Sequence, residues 1–294
     1  MKNSVTLTAC GKLNLFLDIV GKRDDGYHLL ETVMQSVSVK DRLSFSLEKG
    51  TGVELRCDVP GIPTDGSNLI IKAVDRFCEK TGAKPDGRLI IDLKKNIPSM
   101  AGMGGGSADC AAALAAMNEL SAAGLSMTEL LDMAQTLGAD VPFTLMGGTA
   151  LCEGIGEMMT PIRSPGDVFY VAVQPELRIS TAEAYKACDT APPKAPRKCS
   201  EFIEALEAGN IRLAAGRMYN VFEKALALPE IEDIKSRLGG LGALGAMLTG
   251  SGSVVFGVFD DPDKAQNCAQ SLTDFGFAQV LVPQLQGIEI IDSK

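Results

Sequence analysis

Two domains, each combining strands with helices, are what this sequence predicts, and three observations carry the expectation. The chain has 294 residues, enough for two cores of ordinary size. Before and after residue 100 a strand-like run, a glycine loop and an alanine-rich helix follow one another, and beyond residue 240 strand and helix patterns alternate again. Hydrophobic residues make up 46% and charged residues 22%, the balance of a soluble globular protein.

Charge and cysteine usage narrow the function classes. A formal charge of −9 and a pI near 4.8 argue against a nucleic-acid partner, because such binding needs clustered Lys and Arg to displace counterions. A small phosphorylated ligand held by backbone N–H groups escapes that objection. The eight cysteines are scattered without a Cys-x-x-Cys pair, and His28 is the only histidine, so no zinc site is expected. Wide cysteine spacing fits reduced thiols. The N-terminal run MKNSVTLTACGKLNLFL is too charged and alternating for a signal or a membrane helix, so a cytoplasmic protein with no membrane partner is expected.

Val5 to Val20 alternates as a strand, with Leu13, Leu15 and Leu17 on one side and Lys12, Asn14 and Phe16 on the other. The polar side of an edge strand is commonly just solvated. Asp25-Gly26 marks a turn, after which LLETVMQSVSV resumes alternation, so a hairpin or wide loop is expected around Tyr27 and His28. A lone histidine beside a tyrosine is commonly a structural hydrogen bonder. Asp41 to Asp58 reads as a second hairpin around Lys49 to Gly52. Asn68 is a good N-cap for a helix over 69–80.

Arg88 to Leu93 reads as a strand leading to PSMAGMGGGSADCAAALAAM (98–117). Four of the five residues from Gly102 to Gly106 are glycine, and the alanine run beyond Ser107 is strongly helical. A glycine loop opening a helix is an anion site: unpaired first-turn N–H groups and the positive dipole end face the ligand, and glycines admit a phosphate chain without Cβ collisions. A side chain at Gly105 should therefore exclude a triphosphate and leave the fold intact. The dinucleotide fingerprint fails because Ser107 stands where its third glycine belongs, and the Walker pattern fails for want of a lysine after Gly106.

Ser126 and Glu129 form a capping box for a helix ended by Gly138. Asp140, in GADVP, reads equally well as the N-cap of a short turn containing Pro142 or as a catalytic carboxylate. Strand and turn return over 147–157, and TPIRSPG (160–166) looks like the passage to a second domain, dividing the chain into 1–160 and 161–294. Further on come a strand (169–173), a proline-rich loop (191–198), helices at 200–207 and 211–227, a strand region at 246–259, a helix at 263–275 and a strand at 279–283.

Pro98, Gly102, Met103, Gly104, Ser107 and Ala108 resemble the second motif of the GHMP kinases, Pro-x-x-x-Gly-Leu-Gly-x-x-Ser-Ala, with Met103 in place of the common leucine. Lys12 and Asn14 resemble that family's first motif, LTGSGSVVFGVF (248–259) its third, and GADVP the segment that supplies its catalytic aspartate. GxRxDGYHxLxT, read from Gly21, resembles a run characteristic of one subgroup, whose substrate is a small alcohol carrying a cytidine diphosphate group. The resemblance implies an α+β architecture, with a ribosomal-S5-like N-terminal domain and a ferredoxin-like C-terminal domain, and Mg²⁺- and ATP-dependent phosphorylation of an alcohol by a monomer or homodimer. It implies catalysis by Lys12 and Asp140. ATP binding falls to Asn68, Pro98, Gly102, Met103, Gly104, Gly105, Gly106, Ser107 and Ala108, with Ser107 also a metal ligand. Asn14, Tyr27, His28, Thr181 and Tyr185 are implied for the alcohol substrate, with an aromatic stack on the cytosine.

Overall fold

The computed structural model describes residues 2–191 and 197–294. The chain opens with a long hairpin, β1 (Ser4–Lys22) and β2 (His28–Glu48), paired antiparallel from Ser4↔Ser46 to Lys22↔His28 around the Asp25-Gly26 turn. There follow β3 (Val53–Cys57), α1 (Leu69–Thr81), β4 (Arg88–Lys94), α2 (Gly105–Ser121), α3 (Met127–Gln135), α4 (Val141–Met146), β5 (Thr149–Gly154) and β6 (Met158–Pro161). These strands build one sheet, with β5 and β6 continuing it from the outer half of β2.

The expected hairpin around Lys49 to Gly52 does not form. β4 inserts between β2 and β3, antiparallel to the first and parallel to the second. The cause is burial. Leu89, Ile90, Ile91 and Leu93 of β4 are all buried, which suits an inner position, whereas Leu55 is the one buried residue of β3, which suits an edge. A parallel neighbour needs a crossover, and α1 supplies it.

Alternation along β1 also fails locally, at a bulge. Asn14 faces Met34 and Phe16 faces Val33, so Leu15 is the extra residue and Phe16 turns to the face opposite Asn14. Phe16 joins the main core against Phe202 and Tyr219, a burial worth about 2–3 kcal/mol that a polar cleft would forfeit. Lys12 and Asn14 thus do not share their face with Phe16, and Leu13 and Leu17 lie on opposite faces.

Beyond residue 166 the chain forms β7 (Phe169–Gln174), α5 (Thr181–Thr190), α6 (Cys199–Glu207), α7 (Ile211–Arg217), β8 (Tyr219–Asn220), α8 (Val221–Leu226), α9 (Pro229–Gly240), β9 (Gly245–Leu248), β10 (Val255–Phe259), α10 (Pro262–Ser271), β11 (Phe277–Leu281) and β12 (Ile288–Ser293). The second sheet is antiparallel in the order β11-β7-β10-β9. Numbered within the unit this is 4-1-3-2, the order of the ferredoxin-like split βαβ.

The helix expected over 211–227 is broken at 218–220, where β8 pairs with Phe16 and Leu17 of β1. Asn220 fixes the break: its amide nitrogen donates to the carbonyls of Leu248 and Gly250, and its oxygen caps Phe222 N–H. β12 returns to the first sheet beside β1. α3 ends at Gln135 rather than at Gly138. α5, with its Ser180–Glu183 capping box, α9 and β12 were not anticipated. Residues 192–196 of the proline-rich segment lie outside the described residues. Among the described residues no two cysteines form a disulfide, and no helix is long and apolar enough to cross a membrane.

Candidate active site

α2 threads the main core with ten buried residues, and its alanines let α1, α4 and β1 approach closely. α1, α3 and α5 close their N-termini with the side chains of Asn68, Ser126 and Ser180. α2 has Gly104 as N-cap and no side-chain cap, so its first-turn N–H groups stay available to a ligand. Gly104 sits at φ 71° in the left-handed region, and a Cβ there would meet Lys12 Cγ at 3.0 Å. The lysine stem therefore lies against the loop, and Lys12 N–H donates to Met103 O at 2.9 Å.

The glycines divide the work. A Cβ on Gly102 would fall 2.1 Å from Thr249 O, so Gly102 lets the loop seat on the turn between β9 and β10. That turn is the third motif, and it holds the loop further through Val254 N–H to Ala101 O at 3.2 Å. A Cβ on Gly105 points inward, 3.2 Å from both Ile97 Cγ2 and Lys95 Nζ, so a larger residue there disturbs packing. This corrects the expectation of a silent fold at Gly105. Gly106 is exposed, and its Cβ direction is open but for Leu69 Cδ1 at 3.9 Å. Met103 and Ala108 are buried at 1% and 0% exposure, leaving only backbone to offer a ligand.

Lys12 and Asp140 converge, with Lys12 Nζ 3.3 Å from Asp140 Oδ2. Lys12 is 3% exposed, whereas the Asp140 side chain is 31% exposed and opens to solvent. Asp140 occupies the N-cap position of α4 yet makes no capping hydrogen bond, so its carboxylate is not spent on the helix. Asn14 accepts from Lys12 Nζ at 2.6 Å and donates to Thr32 Oγ1 at 2.8 Å. Thr249 Oγ1 accepts Asn14 N–H at 2.9 Å, tying the first strand to the third motif. Asn68 Oδ1 accepts Ile70 N–H and its amide donates to Pro63 O, so capping occupies that side chain.

Of the substrate candidates, His28 and Tyr185 meet: their rings stack at 4.8 Å with planes 22° apart. Asp189 Oδ1 lies 2.7 Å from His28 Nε2, and Lys22 Nζ joins the same carboxylate at 3.0 Å. Those bonds hold the Asp189 carboxyl below the usual range, the His28 contact contributing most. Phe222 meets Tyr185 edge-on at 5.0 Å. Burial, then the charge of Asp140, pushes the Tyr185 phenol up to about 12. Thr181 Oγ1 is 3.1 Å from Ser251 Oγ of the third motif. Tyr27 is exposed, with Arg23 6.0 Å above its ring.

Sequence reasoning missed a charged cluster beneath the loop. Lys95 Nζ is bound by Asp41 and, at 2.7 Å, by Asp109, and all three side chains are nearly inaccessible. Asp41 also accepts Asn96 N–H at 2.6 Å and Ile97 N–H at 2.8 Å, whereas Asp109 Oδ1 has no partner among the described residues. Burial raises the Asp109 carboxyl, and the charge of Asp41 adds to it, while the two carboxylates raise Lys95 against its own burial. One ammonium shared by two carboxylates leaves one of them under-compensated, and Asp109, with the orphaned oxygen, is that one. A polar residue within an alanine helix was the available signal.

Residues 68–148 match the N-terminal domain of GHMP kinases, and residues 202–278 match their C-terminal domain. A 4-diphosphocytidyl-2-C-methyl-D-erythritol kinase of Clostridium botulinum (strain Eklund 17B / Type B) is 41% identical over 273 residues, covering 92% of this chain and 96% of that protein. One from Clostridium kluyveri is 41% identical over 89% of this chain and 93% of its own length. A crystal structure of 4-(cytidine 5′-diphospho)-2C-methyl-D-erythritol kinase superposes with a TM-score of 0.79 at 33% identity, covering 96% of this chain and 99% of that one. Homoserine kinase from Cytophaga hutchinsonii, at 20% identity and a TM-score of 0.78 over 99% and 98% of the two chains, shares the fold.

Proposed function

The chain belongs to the GHMP kinases, and from that membership we propose that it transfers a phosphoryl group from ATP to the 2-hydroxyl of 4-(cytidine 5′-diphospho)-2-C-methyl-D-erythritol. This is a step of the non-mevalonate route to isoprenoid precursors. The observation that carries the reading is the Lys12–Asp140 pair at 3.3 Å beside an uncapped glycine-loop helix. The Clostridium relatives and the 33%-identical structure support the choice of alcohol.

Phosphoryl transfer asks a protein mainly for positioning and charge stabilisation. First-turn N–H groups of α2 hold the triphosphate, and its chain lies over Gly106 without a side chain in the way. Asp140 takes the proton of the attacking hydroxyl. Lys12, against the loop on one side and Asp140 on the other, orients that carboxylate and offsets negative charge on the group in transfer.

Mg²⁺ fits this frame as a companion of the nucleotide. Among the described residues no group of His, Cys, Asp and Glu could cage a metal by itself, and Mg²⁺ is commonly held by phosphates, waters and one or two protein oxygens. Ser107, in the first turn of α2, is the protein oxygen that would hold it. When bound it would offset the negative charge of the phosphates.

We assign Tyr27, His28 and Tyr185 to the cytosine and Thr181 to the same substrate. We put the domain division near residue 160, with β12 lent back to the first sheet, and the enzyme in the cytoplasm. An ATP-consumption assay over the cytidylyl alcohol, mevalonate, homoserine and a sugar tests the reading. Turnover with the cytidylyl alcohol alone is expected, and turnover with one of the others instead would overturn the substrate assignment.

A further inference from the structure

Thr32, the last residue of the run read from Gly21, is fully buried on β2, at 0% exposure. Its hydroxyl lies 2.7 Å from Phe16 O and 2.8 Å from Asn14 Nδ2. A carbonyl can only accept, so the single hydroxyl hydrogen of Thr32 goes to Phe16 O. Toward Asn14 the hydroxyl then offers lone pairs alone, and the amide must present nitrogen to it. The amide oxygen is thereby turned to Lys12 Nζ, 2.6 Å away. With the amide reversed, an NH₂ group would face an ammonium, donor against donor, in a site where Lys12 and Asn14 are 3% and 2% exposed. Water has little access to repair such a mismatch, so the polarity of the whole row is set at the Thr32 end.

From these directed bonds we propose that Thr32 is a positioning residue for phosphoryl transfer, acting through Asn14 to hold the Lys12 ammonium against Asp140. The inference rests on the kinase reading above. Thr32 touches no reacting group, and its influence runs through one amide: Phe16 C=O accepts from Thr32, Thr32 from Asn14, and Asn14 from Lys12, whose ammonium lies 3.3 Å from Asp140. The same geometry gives Asn14 the role of orienting Lys12 in place of direct substrate binding. The bulge at Leu15 contributes, since it sets Asn14 and Thr32 on one face of the sheet while sending Phe16 to the other.

The test is Thr32→Val, which keeps the shape and removes both functions of the hydroxyl, alongside Thr32→Ser, which restores them. For Thr32→Val, kcat should fall by roughly ten- to a hundredfold, the cost of a misplaced catalytic group, with KM for ATP and for the alcohol within about twofold of wild type. Thr32→Ser should retain most of the wild-type kcat. Thr32→Cys, a near-isostere with a weak donor, should lie between and serves if the valine variant does not fold. Asn14→Ala should lower kcat by a similar factor, and adding Thr32→Val to it should lower kcat no further. A folded Thr32→Val or Thr32→Cys enzyme with wild-type kcat, or kcat losses that multiply in the double variant, would overturn the positioning role. Absence of turnover in the wild-type protein would instead count against the kinase reading itself.

Discussion

Lys12 Nζ and Asp140 Oδ2 lie 3.3 Å apart, one side chain from the first strand and the other from the residue ahead of α4, and neither spends that contact on local structure. Asp140 stands where a helix cap would stand and caps nothing. The two roles open to it in the sequence therefore separate cleanly in their consequences.

Asp140→Asn keeps the shape and removes the basicity. We expect kcat to fall by ~10²–10⁴, the usual contribution of a general base, with both substrates still binding. Because no capping bond is lost, the thermal midpoint should stay within a few degrees, whereas a lost cap would cost about 1 kcal/mol. Turnover and thermal unfolding measured on one preparation check both parts, and near-normal kcat would remove Asp140 from the mechanism.

The loop glycines should divide into two kinds. Gly106→Ala points its methyl into open space at an exposed helical position, so the fold should gain about 1 kcal/mol from helix preference while KM for ATP rises. Gly102→Ala would drive a Cβ against Thr249 O at a φ of +75°, so it should destabilise by about 2 kcal/mol or more. Urea unfolding with ATP titration distinguishes them. Unchanged ATP affinity in Gly106→Ala would mean that the phosphates do not cross that face.

Tyr185→Ala should raise KM for the cytidylyl alcohol and leave KM for ATP unchanged, since a base–aromatic stack is worth ~1–3 kcal/mol. His28 stacks on the ring and Phe222 meets it at a steep angle, so the tyrosine is held in place for the base. Steady-state kinetics in both substrates are the measurement, and equal loss for ATP and alcohol would count against the partition.

Asp109 gives a pH dependence whose sign follows from its raised pKa. In the fold its carboxyl holds a proton to higher pH than in the unfolded chain, so across that interval the native state binds more protons and stability falls as pH rises. Asp109→Asn keeps a partner for Lys95 without the second negative charge. Relative to wild type it should be more stable at pH 8, by about 1–3 kcal/mol, with the advantage shrinking toward pH 5. Denaturant midpoints at the two pH values check this, and a difference independent of pH would show that Asp109 does not titrate between them.

The features legible in the chain are those that neighbouring residues decide between themselves. The glycine loop opens α2, Asn68 and Ser126 cap the helices they precede, and Asp25-Gly26 turns the first hairpin, because each depends on backbone freedom or on hydrogen bonds within a few residues. The resemblance to the family's motifs also brought Lys12, Asp140 and the loop into one account. Tertiary structure alone decided which strands became neighbours. β4 displaced β3 from β2 because its apolar residues gained more from an inner position, and β12 returned to β1 across most of the chain. It decided the bulge at Leu15, where burying Phe16 outweighed strict alternation, and the break at Asn220, whose side chain satisfies two carbonyls of a distant turn. It also drew Asp41, Lys95 and Asp109 together beneath the loop and set Thr32 behind Asn14. A row of directed hydrogen bonds between strands leaves no periodic trace in the chain, since its members are fixed by register and burial rather than by spacing.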